Sequence, residues 1–229
     1  MKVLAFAVAA VGALTITGGA QAASIVGLYN TGVTNAGVQA PNGVDSHWTL
    51  DGGNAYISGT QGQFPLGPWL SEATDTTSRW ITPTANAADS VDPRNDGFYQ
   101  YSETFDLTAA QAAGASFAGQ FAADNGILWI KVNNTAILGA DNGPALGGFT
   151  SWTGFSADSS VFQAGENTVT FDVINFGQAT GNPSGLRVEF LSSTEGGVPE
   201  PATWALMIGG FGGMGAMLRR RRQAAALAA

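Results

Sequence analysis

Hydrophobic and polar positions alternate with a period of two through much of this chain. In SGLRVEF, Leu186, Val188 and Phe190 fall on one side, with Arg187 and Glu189 on the other. In NTVTFDVINF, Val169, Phe171 and Val173 alternate with Thr168, Thr170 and Asp172. In GILWIKVN, Leu128, Ile130 and Val132 form the expected core side, which puts Trp129 and Lys131 on the opposite one. This alternation marks strands with one face on a core. SIVGLYN, SHWTL, SRWIT, GFYQYSETF and ASFAGQFAA are further strand candidates. Asp51-Gly52, Asn125-Gly126, Asn142-Gly143 and Asn182-Pro183 read as turns between them. Only TAAQAAG, residues 108–114, reads as helix, for about two turns. Many short strands with Gly-, Asn- and Asp-rich turns predict an all-β fold, an antiparallel β-sandwich of the jelly-roll kind.

The two ends follow a different pattern. Lys2 precedes an apolar run from Val3 to Ile16, then a glycine break and Ala20-Gln21-Ala22. A basic start, an apolar stretch and a small-x-small site predict a signal helix cleaved after Ala22. At the other end Pro199-Glu200-Pro201 leads into an apolar run from Ala202 to Leu218, followed by Arg219, Arg220, Arg221 and Arg222. Seventeen residues reach about 25 Å as a helix, the short limit for crossing a bilayer. The arginines would stay on the cytoplasmic side, so a short transmembrane stop-transfer helix is expected, with the body outside. Gly209, Gly210, Gly212, Gly213 and Gly215 are each costly in an isolated helix, by up to ~1 kcal/mol relative to alanine. They fit either close packing, Gly209 and Gly213 being spaced GxxxG, or a helix that unwinds easily.

Pro199, Glu200, Pro201, then Trp204-Ala205, a glycine-broken apolar run and the arginine cluster resemble the PEP-CTERM sorting signal in its PEPxxWA variant. The resemblance covers about twenty-five residues. It implies a Gram-negative exported protein, processed near the Pro-Glu-Pro by an exosortase, a membrane peptidase of exopolysaccharide producers. It makes Pro199, Glu200 and Pro201 the recognition triplet and Trp204 an interfacial anchor. The tail QAAALAA beyond Arg222 departs from the usual pattern, which stops close to the arginines.

Charge narrows the partners. Between Ala23 and Val198 the basic residues are Arg79, Arg94, Lys131 and Arg187, against sixteen acidic ones. A body of net charge −12 repels phosphate backbones, so no nucleic acid is expected. The chain has no cysteine, which excludes thiolate metal sites, thiol catalysis and disulfides. Its one histidine, His47, stands in SHWTLDGG, and neither a nucleophile elbow nor a phosphate loop is present. No enzyme is expected, although a pair of carboxylates for glycoside hydrolysis needs only a suitable separation.

Two constellations carry candidate chemistry. DSVDPRNDG places the oxygen donors Asp89, Asp92, Asn95 and Asp96 in one loop, open to calcium or to plain Asx turns. Trp129 with Lys131 is the candidate glycan contact, since sugars stack apolar C–H faces on indoles. The alternative is that Trp129 fills the sandwich. Trp69, in FPLGPWL, is either a second aromatic contact or a plug for one end of the sandwich. FAADNGILWIKVNNTAIL with NPSGLRVEF resembles galactose-binding-like jelly rolls of exported bacterial proteins, which implies glycan binding without supplying a site.

The expected organisation is a signal peptide (1–22), a β-sandwich domain (23–191), a linker (192–198), a sorting segment (199–222) and a short tail (223–229). The expected partners are an exosortase-type peptidase and an extracellular polysaccharide. The expected location is the cell surface or matrix, after transient residence in the inner membrane. Two functions stand open: a carbohydrate-binding module, or a structural matrix protein without a discrete ligand. No cofactor is expected beyond the calcium alternative.

Overall fold

A computed structural model describes residues 24–59, 68–72, 75–197, 207–217 and 219. The chain forms two compact units, Ala22–Val198 and a second made of Met1–Gln21 with Pro199–Ala229. The described strands all lie in the first. They begin with β1 (Val33–Thr34), β2 (Gly37–Val38), β3 (Val44–Leu50), β4 (Gly53–Ile57), β5 (Ile81–Thr82) and β6 (Gly97–Leu107). A single helical turn, α1 (Ala109–Ala112), precedes β7 (Ser116–Asp124), β8 (Gly126–Val132) and β9 (Thr135–Gly139). The remaining strands are β10 (Thr153–Ala157), β11 (Gly165–Asn175) and β12 (Gly185–Thr194).

Strands β1 and β2 pair only with each other, and the rest hydrogen-bond in the order β10-β7-β12-β5-β4-β3-β6-β11-β8-β9. The pairs are antiparallel. This run doubles over so that β10-β7-β12 face β6-β11-β8 across a core of phenylalanines. Phe155 on β10 meets Phe171 on β11 edge to face, with ring centroids 5.3 Å apart. Phe121 on β7 meets the same ring at 6.2 Å. The fold is therefore an all-β, antiparallel sandwich.

Alternation sets which side chains enter that core. On β6, Tyr101, Phe105 and Leu107 are buried, while Gln100, Ser102 and Thr104 point away. Register then aligns the two kinds across strands, pairing Phe171 with Tyr101 and Thr170 with Ser102. Tight turns hold the register. Asp51 (φ 49°) and Gly52 (φ 74°) join β3 to β4, and Asn133 (φ 50°) and Asn134 (φ 66°) join β8 to β9. Two successive left-handed residues make the hairpin turn whose twist suits antiparallel strands.

Three expectations change in detail. The β11–β8 ladder shifts between Asp172 and Val173, so Trp129 pairs with Asp172 but Ile127 pairs with Val173. That bulge takes Leu128 out of the core, and Ile127 joins Ile130 and Val132 there instead. The stretch SIVGLYN is irregular rather than a strand. Gly27 (φ 90°) breaks its extension, and its amides go to side chains: Ile25 to Ser193 Oγ and Tyr29 to Glu103 Oε1. The helix is shorter than two turns. Its start has a reciprocal cap, in which the Gln111 amide donates to Thr108 Oγ1 and the Thr108 amide to Gln111 Oε1. Its end is stopped by packing: a Cβ on Gly114 would lie 2.7 Å from Gly196 Cα. The Gly196 amide donates to the Gln111 carbonyl at 2.8 Å, pinning the chain just after β12.

The outer face of the β7–β12 sheet is covered by a second hydrophobic cluster, Trp69, Trp80, Ala87 and Ala122, with Leu70, Phe149 and Trp152 packed around it. Arg187 lies beneath this cover, fully buried. Its Nε donates to Ser78 Oγ at 2.7 Å, its Nη1 to the Ser71 carbonyl at 3.0 Å, and its Nη2 pairs with Asp75. The guanidinium carbon also sits 4.9 Å from the Trp152 ring centroid. Next to it, Glu189 accepts from Thr77, Ser78 and Gln120. Glu72 accepts from Ser58 and from the Trp80 amide. A buried charge is tolerable only when paired and bonded in this manner.

Candidate functional site

Among the described residues, the outer face of the opposite sheet has no such cover. Alternation sends Gln100 and Ser102 of β6, Thr168, Thr170 and Asp172 of β11, and Trp129 and Lys131 of β8 outward together. Register turns them into rows across the strands. Gln100 stands opposite Asp172 and Asp172 opposite Trp129; Ser102 stands opposite Thr170 and Thr170 opposite Lys131. Thr49 of β3 extends the second row through its pairing with Ser102.

Trp129 is half-buried, with its indole lying over Gly139 of the neighbouring strand. A Cβ at Gly139 would come within 2.1 Å of the ring, so the indole rests flat only because that position is glycine. Beside it, Lys131 Nζ pairs with Asp172 Oδ2 at 2.6 Å, and Gln100 Nε2 donates to Asp172 Oδ1 at 3.0 Å. Lys131 therefore holds Asp172 in place and is not a free cation. Two depressions meet at Gln100. One, of about 270 Å³, is lined by Asp51, Phe98, Gln100, Trp129 and Asp172 among others. The other, of about 360 Å³, is lined by Ser102, Asn133, Asn134, Glu166, Thr168 and Thr170 with Gln100. Phe98 adds a ring that is 65 % exposed. The surface thus offers aromatic planes at one end and hydroxyls and amides along the rest. Such a surface can stack on C–H faces and exchange hydrogen bonds with hydroxyls.

The sequence located Trp129 and Lys131 on this side. Gln100, Ser102 and Thr170 it did not single out. Their outward direction was legible in the alternation of β6 and β11, but which of them become neighbours depends on register.

The other described tryptophans have structural seats. Trp48 is in the main core, and Trp69 and Trp80 pack together over the β7–β12 sheet, their rings tilted by 43° with centroids 4.1 Å apart. His47 lies against Tyr29, ring on ring, at 3.7 Å.

The three carboxylates of the acidic loop are spent separately. Asp89 accepts from Thr84 and Asn86. Asp92 Oδ2 accepts from the Tyr99 hydroxyl at 2.7 Å and from Asn175 Nδ2 at 2.8 Å. Asp96 accepts from the Gly177 amide, and the backbone of Asn95 packs against Gly177. These bonds clamp residues 89–96 to the loop after β11. Burial first, and then the bond to Asp92, push the Tyr99 hydroxyl above its usual range. Among the described residues no group of three or more Asp, Glu or His side chains could hold a metal ion.

The remaining candidate residues belong to the chain ends. Residues 197–222 match the PEP-CTERM protein-sorting motif. The motif indicates a protein that is exported and directed to an exosortase for sorting to the cell surface. No curated protein matches the chain. Within the PEP-CTERM segment, Pro199, Glu200, Pro201, Trp204, Arg220, Arg221 and Arg222 lie outside the described residues, as do Ala20 and Ala22 of the signal site. Residues 207–217 and Arg219 are helical, and Ile208, Phe211, Met214 and Met217 are exposed on that helix. The expected transmembrane helix, Ala202–Leu218, lies only in part within the described residues. Among the described residues no helix is long and apolar enough to cross a membrane.

Proposed function

We propose that this PEP-CTERM protein is a carbohydrate-binding component of the cell surface or exopolysaccharide matrix. Its jelly-roll sandwich holds polysaccharide on the open face of β3, β6, β11 and β8. The observation that carries this reading is the Trp129 indole, seated over Gly139 at the end of rows of hydroxyl and amide side chains. An extended glycan laid across those rows stacks one sugar on Trp129 and Phe98 and bonds its neighbours to Gln100, Ser102 and Thr170. The face works without catalysis and without a cofactor. The paired state of Lys131 and the acidic body favour a neutral polysaccharide over a uronic-acid polymer, which like charge would repel.

The test is affinity electrophoresis of the full chain through gels containing neutral exopolysaccharide. The native protein is expected to be retarded, and Trp129→Ala to migrate as in a gel without polymer. Unretarded migration of the native protein in every polymer would leave the structural matrix role, without a discrete ligand, as the better reading.

A further inference from the structure

A second pocket opens where β7 turns into β8, beside Trp69, Ala88, Phe149 and the loop 178–183. It measures about 420 Å³ and shares no lining residue with the two depressions of the open face. That volume is near the small end of the range for ligand pockets, ~300–1,000 Å³. Its walls include Trp69, Phe149, Asp124, Asn125, Gln178 and Asn182.

Both the walls and the polar groups are fixed in advance. Trp69 is held by its tilted contact with Trp80, and its Nε1–H donates to Asp124 Oδ2 at 2.8 Å. Asp124 is 5 % exposed, and among the described residues nothing donates to its other oxygen, Oδ1. The amide nitrogens of Gln178 and Asn182 are used on backbone carbonyls, Gln178 bonding Thr180 and Asn182 bonding Val91 and Phe176. Their carbonyl oxygens are left to accept. Asn125 is the reverse: its Oδ1 takes the Phe176 amide, which leaves its NH₂ to donate. The inventory is two aromatic walls, three acceptors and one donor. Burial pushes the Asp124 carboxyl up to about 6, against the lowering bond from Trp69, as expected of a carboxylate short of donors.

We propose that this pocket is a second carbohydrate site, which takes a single pyranose and so reads a chain end where the open face reads a stretch. Asp124 Oδ1 accepts from a sugar hydroxyl, with Gln178 and Asn182 taking its neighbours. Trp69 and Phe149 cover the C–H side of the ring. The site stands on its own residues and does not require the open face to bind.

The experiment uses the full chain with methyl glycosides of glucose, galactose, mannose and N-acetylglucosamine, followed by saturation-transfer NMR and tryptophan fluorescence at neutral pH. At least one glycoside is expected to bind with a millimolar dissociation constant. Asp124→Asn keeps an acceptor for the Trp69 indole but removes the charge, and should weaken that binding about tenfold, or 1.4 kcal/mol. Phe149→Ala should weaken it similarly, and serves if Asp124→Asn folds poorly. Trp129→Ala should leave glycoside binding unchanged while abolishing retardation by polymer, which separates the two sites. Failure of all four glycosides to bind at tens of millimolar would overturn the proposal, as would equal affinity in native protein and both pocket variants.

Discussion

The two outer faces of the sandwich start from the same strand pattern and end in opposite states. On β12, Arg187 and Glu189 occupy the polar positions between Leu186, Val188 and Phe190, just as Thr170 and Asp172 do between Val169, Phe171 and Val173 on β11. Yet Arg187 is fully buried, whereas Thr170 and Asp172 remain at the surface. The difference is what lies above each sheet. Trp69, Trp80 and Trp152 roof the β7–β12 side, and nothing among the described residues roofs the β6–β11–β8 side. A charged side chain under a roof must be fully bonded, so that face has become a fixed part of the fold. A polar side chain in water stays available for other partners. Function is therefore sought on the uncovered side and in the pocket at the end of the roofed one.

The sharpest way to break this contrast is to remove the charge beneath the roof. Arg187→Met should cost ~3–5 kcal/mol in urea denaturation, because Asp75 and Glu189 lose their cation inside the protein. A loss below ~1 kcal/mol would mean that the roof opens and the pair is solvated.

Next in size is a dependence on pH that belongs to the roofed side and the core. Burial raises Glu72, raises Glu103 well above the usual carboxyl range, and raises Asp124 to about 6 from 3.8. These groups hold protons more tightly folded than unfolded, so stability falls as pH climbs from about 4 through 6 and beyond. Asp124 alone would contribute on the order of 3 kcal/mol to that fall. Asp75, held low by Thr77 and Arg187 despite its burial, acts the other way, its stabilisation being lost as pH drops below 3.8. The melting temperature should accordingly be higher at pH 5 than at pH 8, and Asp124→Asn should reduce that difference. A melting temperature that rises from pH 5 to 8 would contradict the buried placement of these acids.

On the open face the effects on stability should be smaller and those on binding larger. Trp129→Ala should cost about 2 kcal/mol, between the surface and core ranges, since the indole is only half-buried. Gly139→Ala displaces the same ring from its seat and should impair polymer retention while leaving the indole in the chain. The smallest change is Thr170→Ala, expected within ~0.5 kcal/mol of native stability. A measurable loss of retention in this last variant would mark the hydroxyl rows as part of the contact.

Period two revealed which side of each strand meets the core, so Trp129, Lys131, Arg187 and Glu189 were all assigned the correct side from sequence. Whether a side is covered was not legible. That depends on Trp69, Trp80, Phe149 and Trp152 being carried over β7 and β12, which lie far from them along the chain. The bulge at Leu128 was hidden for a related reason. Leucine suits a core and nothing local distinguishes it from Ile127; only pairing with β11 decides between them. The acidic loop shows the limit most clearly. Asp89, Asp92 and Asp96 are close in sequence, but each is turned to different partners, one as distant as Asn175. The PEP-CTERM segment was legible because its signal is the order of residues itself and not a folded arrangement.

The pin between Gly196 and Gln111 bears on what the protein becomes after sorting. Every described strand has already found its partner before the chain reaches Pro199. A cut beside the Pro-Glu-Pro triplet severs no ladder among the described strands. The described ladders of the domain therefore persist when the segment after Val198 is lost. Its melting curve should be the same before and after cleavage, which makes attachment and release matters of enzymology alone.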